Sequence, residues 1–208
     1  MKIEIKSILE VLVYFVAAAS IAVIITTNVS IIFLHPFAVD GISWGEIMSD
    51  YRRLLIYLQS PIANQLTFRY LPISSNASEH FSMVRCFLII NEGVCLTSWG
   101  IVISKIKHEK KRSQLIMLVS LIDYLCLGLL IISGLTAIDF ERTFILFHYL
   151  LFSDNKWIFN PQTDPIIMGM PPTFFLKLFG IWLIITIAIL GYLRFYNRQK
   201  LFSGKFRS

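Results

Sequence analysis

Two histidines, His80 and His148, are the residues of this sequence best suited to chemistry. His80 stands just ahead of an apolar block that starts near Met83. His148 stands second in the segment "FHYLLFSDNKWIFNPQTD", Phe147 to Asp164, which mixes aromatics with aspartates, asparagines, a lysine and a proline. Glu79, Arg85 and several aromatic residues accompany the pair. Imidazole changes charge near neutral pH, so two at one level can supply a proton acceptor and a proton donor. Two histidines can also hold a metal, but no H-x-x-x-H spacing is present and the metal signal is weak; no metal site is expected. A purely structural role is the third alternative, and the pattern leaves all three open. His35 precedes Pro36 and fits a helix end, while His108 lies in a Lys/Arg cluster and fits a solvated position.

The elements that must position these residues are dictated by composition. Hydrophobic residues make up 56% of the 208 residues and charged residues 15%, with a mean hydropathy of +0.68. That is the composition of an integral membrane protein. Apolar residues gather in four blocks, about 8–33, 83–106, 115–137 and 174–195. Each is long enough for a hydrocarbon core about 30 Å thick, which takes roughly 20 helical residues. The first block is too long for a cleaved signal and no small-x-small site follows it, so it is expected to be a retained span. The fold class expected is therefore all-α, with four transmembrane helices forming a single membrane domain. Cys86, Cys95 and Cys126 all fall inside spans, form no C-x-x-C pair, and fit buried free thiols.

Charge sets the expected orientation. Lys105, Lys107, Lys110, Lys111 and Arg112 cluster between spans two and three, Arg194, Arg198, Lys200, Lys205 and Arg207 fill the tail, and Lys2 and Lys6 precede span one. The positive-inside rule places all three segments, and both termini, in the cytoplasm. The net charge of +6 is then topology, with no nucleic acid required. Two long links, about 35–82 and 138–173, face outward and are expected to build a small cap.

The first link carries a readable helix. Ser43-Trp44-Gly45-Glu46 fits a capping box, and Ile47, Tyr51, Leu54, Leu55 and Leu58 recur at helical spacing up to Ser60-Pro61. "NQLTFRYLPISSNAS" partly alternates and fits a short strand or hairpin. In the second link "RTFILFHYLLF" predicts about three helical turns with Phe144, Phe147, His148, Leu151 and Phe152 on one stripe, followed by a turn at Ser153-Asp154-Asn155. Charges within spans default to function: Glu92 can pair with Arg85, and Asp123 can snorkel or pair with the basic link.

With these residues in place, a resemblance is visible. "GISWGEIMSDYRRLLIYLQSP" after span one, "EHFSMVR" entering span two, and F-H-x-x-x-F, W-x-F-x-P-x-x-D and P-x-x-F-F before span four resemble the lipoprotein intramolecular transacylase family of low-GC Gram-positive bacteria, over nearly the whole chain. The resemblance implies a four-helix membrane bundle with an extracellular cap in a bacterial cell membrane. It implies a substrate, a diacylated lipoprotein in membrane lipid, whose sn-2 acyl chain moves from glycerol oxygen to the N-terminal cysteine α-amine, giving the lyso-form. It also implies that His80 and His148 are catalytic, and the bacterial setting argues against glycosylation at Asn76-Ala77-Ser78.

The physical requirements of that reaction suit the residues. Both reacting groups sit on one molecule, so holding them together can remove roughly 7–11 kcal/mol of barrier. Ester to amide runs downhill, so no cofactor is expected. An imidazole can take the proton of an amine whose reference pKa is about 7.7–8.0. Arg85, Asn160 or backbone N–H groups are candidate oxyanion donors. Phe147, Trp157 and Phe159 are candidates for excluding water, and Asp164 for shaping the pocket. Two rivals stand beside this reading. A quinone-linked thiol oxidase needs paired outer cysteines, which the links lack. A non-catalytic membrane partner or transporter subunit would use Glu92 and Asp123 as a polar path, yet no inverted repeat is visible.

Overall fold

A computed structural model describes residues 2–152 and 154–203. Lys205 and Arg207 of the basic tail, and Ser153 of the expected turn, lie outside the described residues. The described chain is helical: α1 Lys2–Val29, continued by a 3₁₀ turn at Ser30–Phe33, then α2 Trp44–Leu58, α3 Ser75–Lys107, α4 Arg112–Ile138, α5 Phe140–Leu151, a 3₁₀ turn at Pro165–Gly169, and α6 Pro172–Phe202. Four segments, Glu4–Phe33, Ser75–Lys107, Arg112–Ile138 and Pro172–Phe202, are long and apolar enough to cross a membrane. Leu96, Leu127, Ile132, Leu135 and Ile184 on these helices are exposed, a pattern that suits hydrocarbon surroundings.

The chain divides into two compact units. The first comprises Met1–Val23, Glu92–Leu135 and Ile181–Ser208. Its core joins Tyr14, Ala17, Ala18, Val102, Leu118, Ile122, Leu190 and Leu193. The alanines leave α1 carbonyls within reach of neighbouring helices: Trp99 Nε1 donates to Ala17 O at 3.0 Å and Trp182 Nε1 to Ala19 O at 3.1 Å. Small side chains permitting such close approach are the usual glue of membrane helices. Glu10 is buried, accepts from the Tyr14 hydroxyl at 2.6 Å, and pairs with Lys110 Nζ at 3.0 Å. Asp123 pairs with Arg194 of α6, with Arg194 Nη2 3.0 Å from Oδ2. The expected partner in the basic link is thus replaced by one a helix away, because both side chains sit at matching depth. All three cysteines are free; Cys95 is buried, but Cys86 is exposed on α3 rather than buried.

The second unit comprises Ile24–Asn91 and Thr136–Gly180 and carries both histidines of interest. Its core is built on α2, which buries Ile47, Tyr51, Leu54, Leu55 and Leu58 with Leu66, Leu71, Phe81, Ile166 and Phe174. The α2 start is the expected capping box: Ser43 Oγ accepts from Glu46 N at 3.4 Å and Ser43 N donates to Glu46 Oε2 at 2.9 Å. The expected strand after α2 does not form, and among the described residues the one bridge is Val39 to Ile42, closed around Gly41 at φ 73°. A buried carboxylate takes the place of a strand partner. Asp50 accepts from the backbone N–H groups of Arg69, Tyr70 and Leu71, each at 2.8 Å. The helix α3 starts at Ser75, ahead of the expected Met83, so His80 is a helical residue. Ser74 caps it, its Oγ accepting from Ala77 N at 3.1 Å.

Removing the Asp50 carboxylate strands three backbone donors, each costing about 1–3 kcal/mol when buried. Asp50→Ala is therefore expected to lower unfolding free energy by about 3 kcal/mol or more. Reversible denaturation in detergent micelles measures this; an unchanged midpoint would contradict the stated role of Asp50.

Candidate active site

Asp139 caps α5, its side chain accepting from Arg142 N at 3.2 Å, and α5 delivers His148 on its last turn. The Phe152 N–H then closes the helix on His148 O at 2.8 Å. The helix α3 delivers His80. The two rings meet with centroids 6.0 Å apart and planes 30° apart. His80 is 6% exposed and lies among Phe152 at 4.6 Å, Phe159 at 5.4 Å and Phe81 at 5.9 Å. His148 lies against Phe144 at 4.2 Å, Trp157 at 4.8 Å and Phe147 at 5.8 Å. Both line a largely apolar cavity of about 880 Å³ that Leu54, Leu55 and Leu58 of α2, Phe140, and Phe174 and Phe175 of α6 complete. Such a volume falls in the range of roughly 300–1,000 Å³ typical of ligand pockets.

The hydrogen bonds define which atoms remain available. His148 Nδ1 lies 2.7 Å from Phe144 O. A carbonyl only accepts, so Nδ1 carries the proton and a neutral His148 keeps its lone pair on Nε2. Burial holds His148 below the ordinary histidine value, with the Phe144 carbonyl opposing in part. His80 Nδ1 is buried with no partner among the described residues, and so is Trp157 Nε1. Elsewhere on the lining, Ser30 Oγ donates to Thr27 O at 2.6 Å and lies 2.7 Å from the Tyr51 hydroxyl. With its own proton committed to Thr27, Ser30 accepts from Tyr51, whose hydroxyl burial pushes up to about 12. Among the described residues, no three His, Cys, Asp or Glu side chains gather as metal ligands would.

The other expected site residues divide into two groups. Phe147, Trp157 and Phe159 line the cavity beside the histidines. Arg85, Asn160 and Asp164 do not. Arg85 donates through Nε to Ser60 O at 2.7 Å and through Nη2 to Pro61 O at 2.9 Å, and stacks over Tyr57. It thereby holds the end of α2 to α3. Asn160 Oδ1 accepts from Gln162 N at 3.0 Å, and its carbonyl accepts from Thr163 N and Asp164 N, which forms a turn. Asp164, 2% exposed, accepts from Ser74 N at 2.7 Å and Ser74 Oγ at 2.9 Å. It pins the segment carrying Trp157 and Phe159 to the start of the helix carrying His80. Glu79 pairs with Lys156 between the same two segments, a contact with no local sequence signal because its partners are far apart in the chain. His35 and His108 are exposed, and the His35 N–H donates to Gly169 O at 2.9 Å.

Comparisons with known proteins converge on one family. The profile of the lipoprotein intramolecular transacylase Lit family matches residues 4–175. The chain is similar to the membrane-integral lipoprotein intramolecular transacylase Lit from Bacillus cereus, at 27% identity and a TM-score of 0.72, covering 95% of this chain and 96% of that one. Two structures of that protein with one histidine mutated, to arginine or to alanine, match at 26% and 25% identity with TM-scores of 0.56 and 0.55. Each covers 96% of this chain, and 96% and 98% of its own. No curated protein matches the sequence significantly.

Two outcomes follow from the geometry. Nitrogen NMR of labelled histidine should find His148 protonated on Nδ1 at pH 7 and titrating below 6.5, its ordinary value. With the folded value below the unfolded one, the unfolded chain binds more protons between them, so His148 withdraws stability as pH falls below about 6.5. A midpoint at or above the ordinary value would contradict the assigned burial and tautomer. Asp164→Ala should cut activity at least about tenfold by loosening the two segments it joins, since small misplacements near a reacting centre can cost about 10²-fold; full activity in the inserted variant would remove Asp164 from this role.

Proposed function

The chain belongs to the lipoprotein intramolecular transacylase family, whose members are membrane acyltransferases, and from that premise we propose the reaction it performs: transfer of the sn-2 acyl chain of a diacylated lipoprotein from glycerol oxygen to the N-terminal cysteine α-amine. The observation that carries this reading is the meeting of His80 and His148, from separate helices, in one apolar cavity.

The α-amine enters beside His148 and attacks the ester carbonyl. His148 Nε2, free because Nδ1 is committed to Phe144, takes a proton from the nitrogen as the new C–N bond forms. The tetrahedral carbon then collapses and its bond to the glycerol oxygen breaks. His148 passes the proton it has taken on to His80, and His80 gives it to the departing glycerol oxygen, so both imidazoles start and finish the cycle neutral. No proton is gained or lost overall. The aromatic rings around both imidazoles exclude the water that would otherwise hydrolyse the ester.

The setting is a bacterial cell membrane. Lys105, Lys107, Lys110, Lys111 and Arg112 fall at the junction of α3 and α4, which supports a cytoplasmic position for that junction. Four crossings then leave segments 34–74 and 139–171 outside, as a cap at the headgroup level. The helix α5 suits this depth. Phe144, Phe147 and His148 line the cavity, while Leu146, Tyr149 and Leu150 are exposed, so α5 is apolar on both faces and favours lipid over water.

Single His80→Ala and His148→Ala variants, expressed in a bacterium lacking its own enzyme, should each lose at least about 10²-fold in lyso-form production, the range of general acid–base catalysis. Mass spectrometry of lipoprotein N-termini reads the result. Undiminished lyso-form from both variants would end the mechanism.

A further inference from the structure

Acyl transfer passes through a tetrahedral carbon bearing an oxyanion, and that charge needs a donor in a site without water. The side chains that the sequence offers for this task lie off the cavity lining. Arg85 spends Nε and Nη2 on the carbonyls of Ser60 and Pro61, off the cavity lining. Asn160 organises its own turn, also off the lining. On the lining itself, Ser30 donates to Thr27, Tyr51 donates to Ser30, Thr143 Oγ1 donates to Asp139 O at 3.0 Å, and His148 Nδ1 donates to Phe144.

Trp157 is different. Its Nε1 is buried and has no partner among the described residues. An indole nitrogen can only donate, and a buried donor without an acceptor costs about 1–3 kcal/mol. Native structures rarely leave such a group unpaired without a functional cause. The indole lies 4.8 Å from the His148 ring, with planes 35° apart, and lines the same cavity. An amine held at His148 Nε2 therefore brings the carbonyl it attacks alongside the indole. Among the described residues, His80 Nδ1 is the other buried side-chain atom on the lining without a partner, and His80 is already assigned to proton delivery.

We propose that the Trp157 indole N–H is an oxyanion donor of this enzyme, making Trp157 a catalytic residue and not merely part of an aromatic wall; this rests on the transacylase reading above. The N–H acquires its acceptor only as the carbonyl oxygen gains charge. Its contribution is made in the transition state and belongs in kcat rather than KM.

The test replaces the indole N–H by sulfur while keeping the ring shape. Full-length protein carrying β-(3-benzothienyl)alanine at position 157 is purified in micelles and given a synthetic diacyl lipopeptide. The expected result is a fall in kcat of about 10²–10³, the usual loss for one oxyanion donor, with KM within about twofold and no rise in free fatty acid. A kcat within about threefold of wild type overturns the proposal, because the wall alone would then suffice. So does a fall accompanied by fatty acid release, which reports leakage of water. A second measurement needs no altered residue. The indole proton of Trp157, assigned by its loss in Trp157→Phe, should move downfield when the wild-type protein binds a phosphonate mimic of the tetrahedral carbon; an unmoved signal with the mimic bound overturns the proposal. If wild-type protein does not convert the lipopeptide at all, the transacylase reading fails before any variant is compared.

Discussion

The carboxylate of Asp164 accepts the backbone N–H and the hydroxyl of Ser74 at 2.7 and 2.9 Å, and the candidate site is organised around this contact. Ser74 caps α3, which carries His80. Asp164 ends the segment that carries Trp157 and Phe159 and also accepts from the Thr163 hydroxyl at 2.8 Å. Hydrogen bonds to a charged group contribute about 1.5–3 kcal/mol each, enough to fix a loop that lacks regular structure. The Glu79–Lys156 pair bridges the same segments at the surface, where solvent screening leaves an ion pair little net stabilisation. The buried carboxylate is thus the stronger of the two ties.

From that tie follows the electrostatic character of the cavity. Rings from α3, α5, the 155–160 segment and α6 surround two imidazoles with little polar competition. Desolvation keeps His148 neutral into the acid range, and the Phe144 carbonyl selects its tautomer. Phe144 O lies one turn before His148 and orients its imidazole. The same lack of polar competition makes an unpaired indole N–H consequential, since hydrogen bonds strengthen in a low dielectric.

Local features were legible in the sequence. Ser43 and Glu46 mark the α2 start because a capping box is encoded within four residues. The stripe of Phe144, Phe147, His148 and Leu151 marks α5 because helical period is a local property. The family resemblance named His80 and His148, which spacing alone left among three alternatives. What escaped the sequence is long-range. Asp50 reads as a polar residue on an amphipathic helix, yet it replaces a strand partner for Arg69, Tyr70 and Leu71. Arg85 reads as a site cation and instead holds two carbonyls at the end of α2. Asp123 finds Arg194 rather than the basic link. In each case the partner is set by which helices meet, and no period or motif carries that information.

The central claim is that one acyl chain moves within one substrate molecule. It is tested most directly with a diacyl lipopeptide deuterated in the sn-2 chain, mixed with an excess of a second, unlabelled lipopeptide of different peptide mass, and incubated with the purified protein. Mass spectrometry of the products should place the label on the α-amine of the peptide that brought it, leave the sn-1 chain on glycerol, and show no label on the second peptide. Label crossing between peptides, remaining on glycerol, or appearing as free fatty acid would contradict the account.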